Sequence, residues 1–467
     1  MKSLLPSLPT PSATPYDGPD LSRRGFLQLG AGGLVASWFL KSPTAAWAAT
    51  SAQVSPRATA RNVIFVFLPG APSQIDMWDL KEGGWTPADF APASFGAGLR
   101  FPAGLLPNIA EHLGDIAILR SVRSSALVHG LSQTWLQISR NPTGATGSEA
   151  PNMGSIAALE LDGRKGPEDV LPSFISLNTQ AGLSGAGYFP STFSPFVVQP
   201  TAAGLPSLTH PDGAARFSNR WNDLQQLDAA LRTGQPLGRD AADAVSFYGQ
   251  AKVLVDSPDV NALFSFSAAD AARYGNSPFG NGCLVARQVL GGGRGARFVM
   301  VSVGGWDLHS NIYDKAAGTN LYTQTAQLDP ALGSLIADLK AASGKVAGRT
   351  LLDETLVVVA AEFGRTVGEL NGQRGRDHFA INSVLFAGGG VKGGQVIGTT
   401  DAAGAAITDS GVSGRTELRA EDIACTVYSA LGIDWTTARH DDPLGRGFEY
   451  VPYAKEGVYA PIDRLFG

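Results

Sequence analysis

Apolar, largely β-branched runs punctuate the chain at Val63–Leu68, Ile116–Leu119, Phe174–Leu177, Phe298–Val303, Leu356–Ala360 and Ser383–Phe386. None sustains a polar alternation, so each reads as a strand buried on both faces, the habit of parallel sheets. Between them lie segments with apolar residues spaced by three and four, at Pro107–His112, Ser132–Ile138, Leu284–Leu290, Leu328–Leu339 and Ala420–Leu431. Parallel neighbours need crossovers, so this alternation predicts an α/β fold with a doubly wound, mostly parallel sheet. Residues from about 214 to 270 break the rhythm, with helical patterns at Trp221–Leu231 and Ala241–Val255 and no strand. They are expected to form a helical insertion that could cover the strand ends.

In such sheets ligands bind beyond the carboxyl ends of the strands, which directs attention to the segments following each run. Val63–Leu68 leads into Pro69-Gly70-Ala71-Pro72-Ser73-Gln74-Ile75-Asp76, and Phe298–Val303 into Gly304-Gly305-Trp306-Asp307-Leu308-His309. Leu356–Ala360 is followed by Glu362-Phe363-Gly364-Arg365-Thr366 and then Arg374-Gly375-Arg376-Asp377-His378. The chain has only six histidines, and two of them, His309 and His378, sit beside acids in these loops. Asp307, His309, Glu362, Asp377 and His378 together make a mixed oxygen and nitrogen set that suits zinc, manganese, magnesium or calcium to differing degrees. Clustered carboxylates repel unless a cation or an arginine neutralises them. The same residues also fit a purely structural use: Asp307 as a helix cap, Glu362 paired with Arg365 or Arg376, and His378 as a hydrogen-bonded core residue.

Arg123, Arg365 and Arg376 match the geometry of phosphate or sulfate, and equally that of Glu362, Asp377 or Asp76. His129, just ahead of a helix, is open to several roles: metal ligand, general base for Ser132 or another serine, nucleophile, or a helix-start histidine with a local hydrogen bond. Cys283 and Cys425, the only cysteines, lie in apolar helical patterns and are expected to be buried and unpaired. The triplets at Gly291 and Gly388 are loop punctuation, without the spacing of a phosphate-binding loop.

The first fifty residues change the picture of where the protein works. Arg23-Arg24 precedes an apolar run from Leu27 to Leu40, and Ala46-Trp47-Ala48 offers a small-residue cleavage site, so residues 1–48 read as a twin-arginine signal peptide. The run holds three glycines and is shorter than the roughly 20 residues a membrane span needs. The expected mature chain, 49–467, is thus exported already folded by the twin-arginine translocase to the periplasm or beyond, with no stable membrane insertion after cleavage. It keeps 32 basic against 39 acidic residues, a formal charge of −7. That surface gives no electrostatic basis for binding nucleic acid or an anionic membrane.

Taken in order, the blocks Leu68–Asp76, Gly304–His309, Glu362–Thr366, Gly375–His378 and Gly388–Gly394 resemble the signature of a large bacterial family of twin-arginine-exported proteins of unknown function. That family is related to sulfatases and alkaline phosphatases, and the resemblance runs from about Arg61 to Gly432. It implies an alkaline-phosphatase-like fold with one or two divalent cations at the strand ends beside a hydroxyl nucleophile. By that resemblance Asp307 and His309 are the acid and histidine of one metal position. Glu362 stands where the superfamily has the aspartate of an Asp-His-Gly turn, and His378 closes the site with Asp377 beside it. Three departures accompany it. Pro69-Gly70 replaces the ligating aspartate after the first strand, leaving Asp76 farther on as the candidate. Phe363 follows Glu362 where a histidine is usual. The loop from Ser121 to Ser132 has His129 and several serines but no Cys/Ser-x-Pro-x-Arg element.

Two functions are therefore expected to compete. One is a metal-dependent hydrolase of phosphate or sulfate esters, with Asp307, His309, Glu362, Asp377, His378 and Asp76 as candidate ligands and His129, Ser132, Arg365 and Arg376 acting on an anionic ester. The other is a catalytically inactive cell-envelope binding or assembly factor on the same fold.

Overall fold

The central strands need no polar face, because helices cover the sheet on both sides. The computed structural model describes residues 54–467 except 97, 180–181, 207–211, 230–237 and 256–257. The predicted signal peptide lies outside the described residues. Eight strands form the main sheet: β1 (Asn62–Phe67), β2 (Ile116–Arg123), β3 (Phe174–Leu177), β4 (Phe196–Val198), β5 (Phe298–Ser302), β6 (Thr355–Ala360), β7 (Ile381–Ala387) and β8 (Gln395–Ile397). Their order is β8-β2-β7-β6-β1-β5-β3-β4. All six residues of β1 are buried, and it pairs in parallel with β5 and β6.

Alternate β1 residues face two separate cores. Ile64 and Val66 pack with helices Pro278–Gly292 and Leu321–Ala341, whereas Val63, Phe65 and Phe67 pack with Met153–Asp162 and Ala420–Leu431. The sheet is thus α/β, doubly wound and mostly parallel, as its apolar runs predict. One strand departs from that expectation: β7 is antiparallel to both β2 and β6. No helix intervenes between β6 and β7. The chain instead forms a two-stranded ribbon, Gly364–Arg365 with His378–Phe379, at the carboxyl end of β6 and turns straight back. Without a crossover the return strand has to run the other way.

Within 214–273 the described residues form four helices, Ala214–Leu227, Gly238–Val255, Pro258–Phe264 and Ala268–Arg273, and no strand. This segment packs toward the β4 edge, where the Phe264 ring meets Phe196, and against helix Pro278–Gly292. Cys283 and Cys425 are buried and unpaired. Among the described residues no helix is long and apolar enough to cross a membrane.

Candidate metal centre

Because β1, β2, β5 and β6 all run the same way, the loops that follow them emerge at one edge of the sheet. The β5 loop is pinned by Trp306, which is buried and donates its ring N–H to the Val303 carbonyl at 2.9 Å. Gly70, at φ +104°, lets the β1 loop press against it, since a Cβ there would lie 2.8 Å from the backbone nitrogens of Trp306 and Asp307. A second close approach occurs at Gly375, where a Cβ would fall 2.0 Å from the carbonyl carbon of His309. These packed loops deliver Asp307 and His309 from β5, His378 from the ribbon after β6, and His129 from the first turn of helix His129–Ile138.

One ligating atom from each of His129, Asp307, His309 and His378 lies within 4.8 Å of the other three. Asp307 Oδ1 is the hub, with His309 Nε2 at 2.9 Å, His129 Nε2 at 3.1 Å and His378 Nε2 at 3.6 Å. His309 and His378 bring their Nε2 atoms to 3.0 Å of each other. Ligands about 2.0–2.1 Å from a tetrahedral zinc stand roughly 3.3 Å apart, so this spread is of the right size for one ion.

The opposite nitrogen of every ring is tied down. His129 Nδ1 meets Glu362 Oε1 at 2.6 Å, His309 Nδ1 meets Asp377 Oδ1 at 2.7 Å, and His378 Nδ1 donates to the Leu127 carbonyl at 2.8 Å. Such partners fix the ring and place the lone pair on Nε2, the arrangement of metal-binding histidines. The fit to a cation has an independent sign. Buried His129 Nε2 is close to Asp307 but out of line for a hydrogen bond, and it has no other partner. A cation between the two would satisfy both.

Glu362 and Asp377, expected as ligands, fall outside this four-residue group and face the Nδ1 atoms of His129 and His309. Glu362 Oε1 accepts from the Gly70 backbone N–H and the Gln133 side chain as well as facing His129. Asp76 does not reach the cluster, because both its oxygens are taken by the Arg376 fork and one also accepts from Tyr313. Arg376 is fully buried with Asp76 and so is not open to an anionic ester. Ser132 is not coupled to His129, since its hydroxyl donates to the Ala126 carbonyl at 2.6 Å. Arg365 does border the cluster, 2.5 Å from Asp307 Oδ1.

These contacts set the charges. The hydrogen bond to Glu362 raises the His129 pKa against the pull of burial, with Asp307 adding to the rise. Burial works to raise Asp307, but Arg365, by hydrogen bond and charge, brings it down to about 2. Asp377 is held below the usual carboxylate range by its bond to His309, and His378 is lowered by burial and by the cationic groups around it. His129 is the member whose role the sequence left most open. The one available signal was its place in the loop that corresponds, by resemblance, to the superfamily's nucleophile loop.

Over residues 60–451 the chain matches the sequence profile of the protein family of unknown function DUF1501. It is a member of that family. No curated protein matches the chain in sequence. Among solved structures this DUF1501 chain is similar to an alkaline phosphatase superfamily protein from Vibrio parahaemolyticus, at 12% identity over 81% of this chain and 69% of that one, with a TM-score of 0.37. It is also similar to a putative sulfatase from Bacteroides thetaiotaomicron, at 11% identity over 87% and 75%, with a TM-score of 0.38. A third is the soluble domain of lipooligosaccharide phosphoethanolamine transferase A from Neisseria meningitidis, at 14% identity over 81% and 90%, with a TM-score of 0.36. None of these likenesses bears on the activity of this chain.

Proposed function

We propose that this DUF1501 protein is an exported hydrolase of phosphate or sulfate esters that works with one divalent cation. The observation carrying this reading is the convergence of three imidazole Nε2 atoms on Asp307 Oδ1, each ring held from behind by its own acceptor. His129, His309, His378 and Asp307 would hold the cation, with Glu362, Asp377 and the Leu127 carbonyl keeping the rings in place. A bound divalent cation supplies Lewis acidity toward an ester oxygen and offsets negative charge that develops there. Arg365 steadies Asp307 from the buried side and compensates part of the surrounding carboxylate charge. Three nitrogens and one oxygen favour zinc over magnesium or calcium, which prefer all-oxygen shells. The twin-arginine motif supports a site of action in the periplasm or outside the cell.

The experiment is elemental analysis of protein recovered from the periplasm, followed by assay on 4-nitrophenyl phosphate and sulfate esters. One equivalent of metal, with turnover abolished in Asp307→Asn, is the expected result. Metal-free protein whose stability and metal content do not respond to Asp307→Asn supports the competing role as an inactive envelope factor. One contact favours that second reading: the Arg365 guanidinium already neutralises Asp307.

A further inference from the structure

We infer that the site selects a singly charged ester, a phosphodiester or sulfate monoester bearing an apolar arm, over a dianionic phosphate monoester; this rests on the hydrolase reading above. The first observation is that the two buried arginines at the centre, Arg365 and Arg376, keep at most one donor for a substrate, the Arg365 Nη1–H that a cation on His309 Nε2 would release. A guanidinium has five N–H groups. In Arg365, which is 1% exposed, Nε donates to the Ala71 carbonyl, Nη1 to the Arg376 carbonyl and His309 Nε2, and Nη2 to the Gly70 carbonyl and Asp307. In Arg376, Nε and Nη2 grip Asp76, Nη2 also reaches Tyr313, and Nη1 serves the carbonyls of Thr366 and Gly368. Arg123, the remaining candidate, is partly exposed and pairs through Nε with Glu417 at 2.5 Å. The Arg365 and Arg376 forks thus hold the loops together and offer no bidentate grip to a phosphoryl group.

The second observation is the charge balance. Asp307, Glu362 and Asp377 outnumber the single Arg365 by two charges, so one divalent cation brings the group to neutrality. A monoanion meets the cation with modest repulsion from the carboxylates behind it. A group that is neutral once the cation is bound offers the second charge of a dianion no net attraction, and neither buried fork gives it a bidentate grip.

The third observation lies at the rim. Leu127 is 42% and Val128 65% exposed, and they are adjacent in the chain immediately before His129. The Leu127 carbonyl is the acceptor that holds His378, so this apolar pair is continuous with the cluster. Isolated exposed apolar residues are ordinary, but an exposed pair that leads directly into His129 is suited to an aryl or alkyl substituent of the ester. In the reaction the oxygen of one water bonds to phosphorus or sulfur and the bond to the ester oxygen breaks. The departing alcohol takes one proton of that water, and the other passes to solvent.

The test uses zinc-loaded full-length mature protein and inert analogues, read by calorimetry at about pH 8, where phenylphosphonate carries two charges. Monophenyl phenylphosphonate, a monoanion with aryl arms, is expected to bind about tenfold or more tightly than phenylphosphonate. The variant Val128→Ser is expected to lose about five- to tenfold for the aryl monoanion while leaving methyl methylphosphonate unchanged. Turnover of bis(4-nitrophenyl) phosphate, 4-nitrophenyl sulfate and 4-nitrophenyl phosphate then separates the phosphorus source from the sulfur source. Equal or tighter binding of phenylphosphonate, or an indifferent Val128→Ser variant, overturns the inference. Turnover that favours the phosphate monoester overturns it while the hydrolase reading stands, whereas absence of both binding and turnover overturns both.

Discussion

Neutralising Glu362 should weaken metal binding more than neutralising Asp377, although the two carboxylates make the same kind of contact. Glu362 Oε1 lies 2.6 Å from His129 Nδ1 and its side chain is fully buried, whereas Asp377 Oδ1 lies 2.7 Å from His309 Nδ1 on a side chain that is 55% exposed. In Glu362→Gln the amide oxygen keeps the Oε1 position, because the Gly70 N–H and the Gln133 amide both donate there. Geometry is therefore preserved and only the charge is removed. Outer carboxylates of this type are worth about 10- to 100-fold in metal affinity, roughly 1.4–2.7 kcal/mol. Burial spares Glu362 from solvent screening, so its substitution should fall near the upper end, while Asp377→Asn should cost at most about tenfold. Zinc affinity measured by competition with a chromophoric chelator gives both numbers. Equal losses, or a larger loss for Asp377→Asn, would refute the claim that buried charge polarises His129.

Breaking the buried Asp76–Arg376 pair should destabilise the fold by about 3–5 kcal/mol, because removing one partner strands the other without water. Urea unfolding of Asp76→Asn gives the value, and a change below about 1 kcal/mol contradicts the assignment. Gly375→Ala should displace the His309 backbone and lower zinc affinity, since its Cβ would fall 2.0 Å from a backbone carbon; unchanged affinity in a folded variant contradicts it. Burial pushes the Asp422 carboxyl up to about 6 against the pull of Arg415. A raised folded pKa means that the stability this group contributes is full below about pH 4 and is lost as pH rises through about 6. Asp422→Asn should therefore flatten the stability profile between those values by up to about 3 kcal/mol, and an unaltered slope in urea titrations at several pH values rejects the effect.

The fold was largely legible because its central strands are continuous apolar runs, and Val63–Leu68 and Leu356–Ala360 fall within a residue of β1 and β6. The edge strands β4 and β8 were not, since three residues with little burial leave no period to detect. The reversal of β7 was invisible for another reason: direction is set by the missing crossover, and its residues look like those of any buried strand. At the site, spacing singled out Asp307, His309 and His378 through their neighbouring acids. It could not tell a member of the four-residue cluster from a carboxylate behind the rings, because Glu362 and Asp377 differ from Asp307 only in which atom they face. His129 comes from a separate helix start and joins the cluster through tertiary packing alone. Arg365 and Arg376 kept both possible roles until their donors could be followed individually to Gly70, Ala71 and Asp76.

Zinc K-edge absorption and anomalous diffraction on crystals of the zinc-loaded protein give the most direct test. One ion is expected, with His129, His309 and His378 bound through Nε2 and Asp307 through Oδ1, at about 2.0–2.1 Å, and with Glu362 and Asp377 outside the shell. An ion held instead by Glu362 or Asp377, or a saturated crystal in which Arg365 alone neutralises Asp307 and no ion binds there, would contradict it.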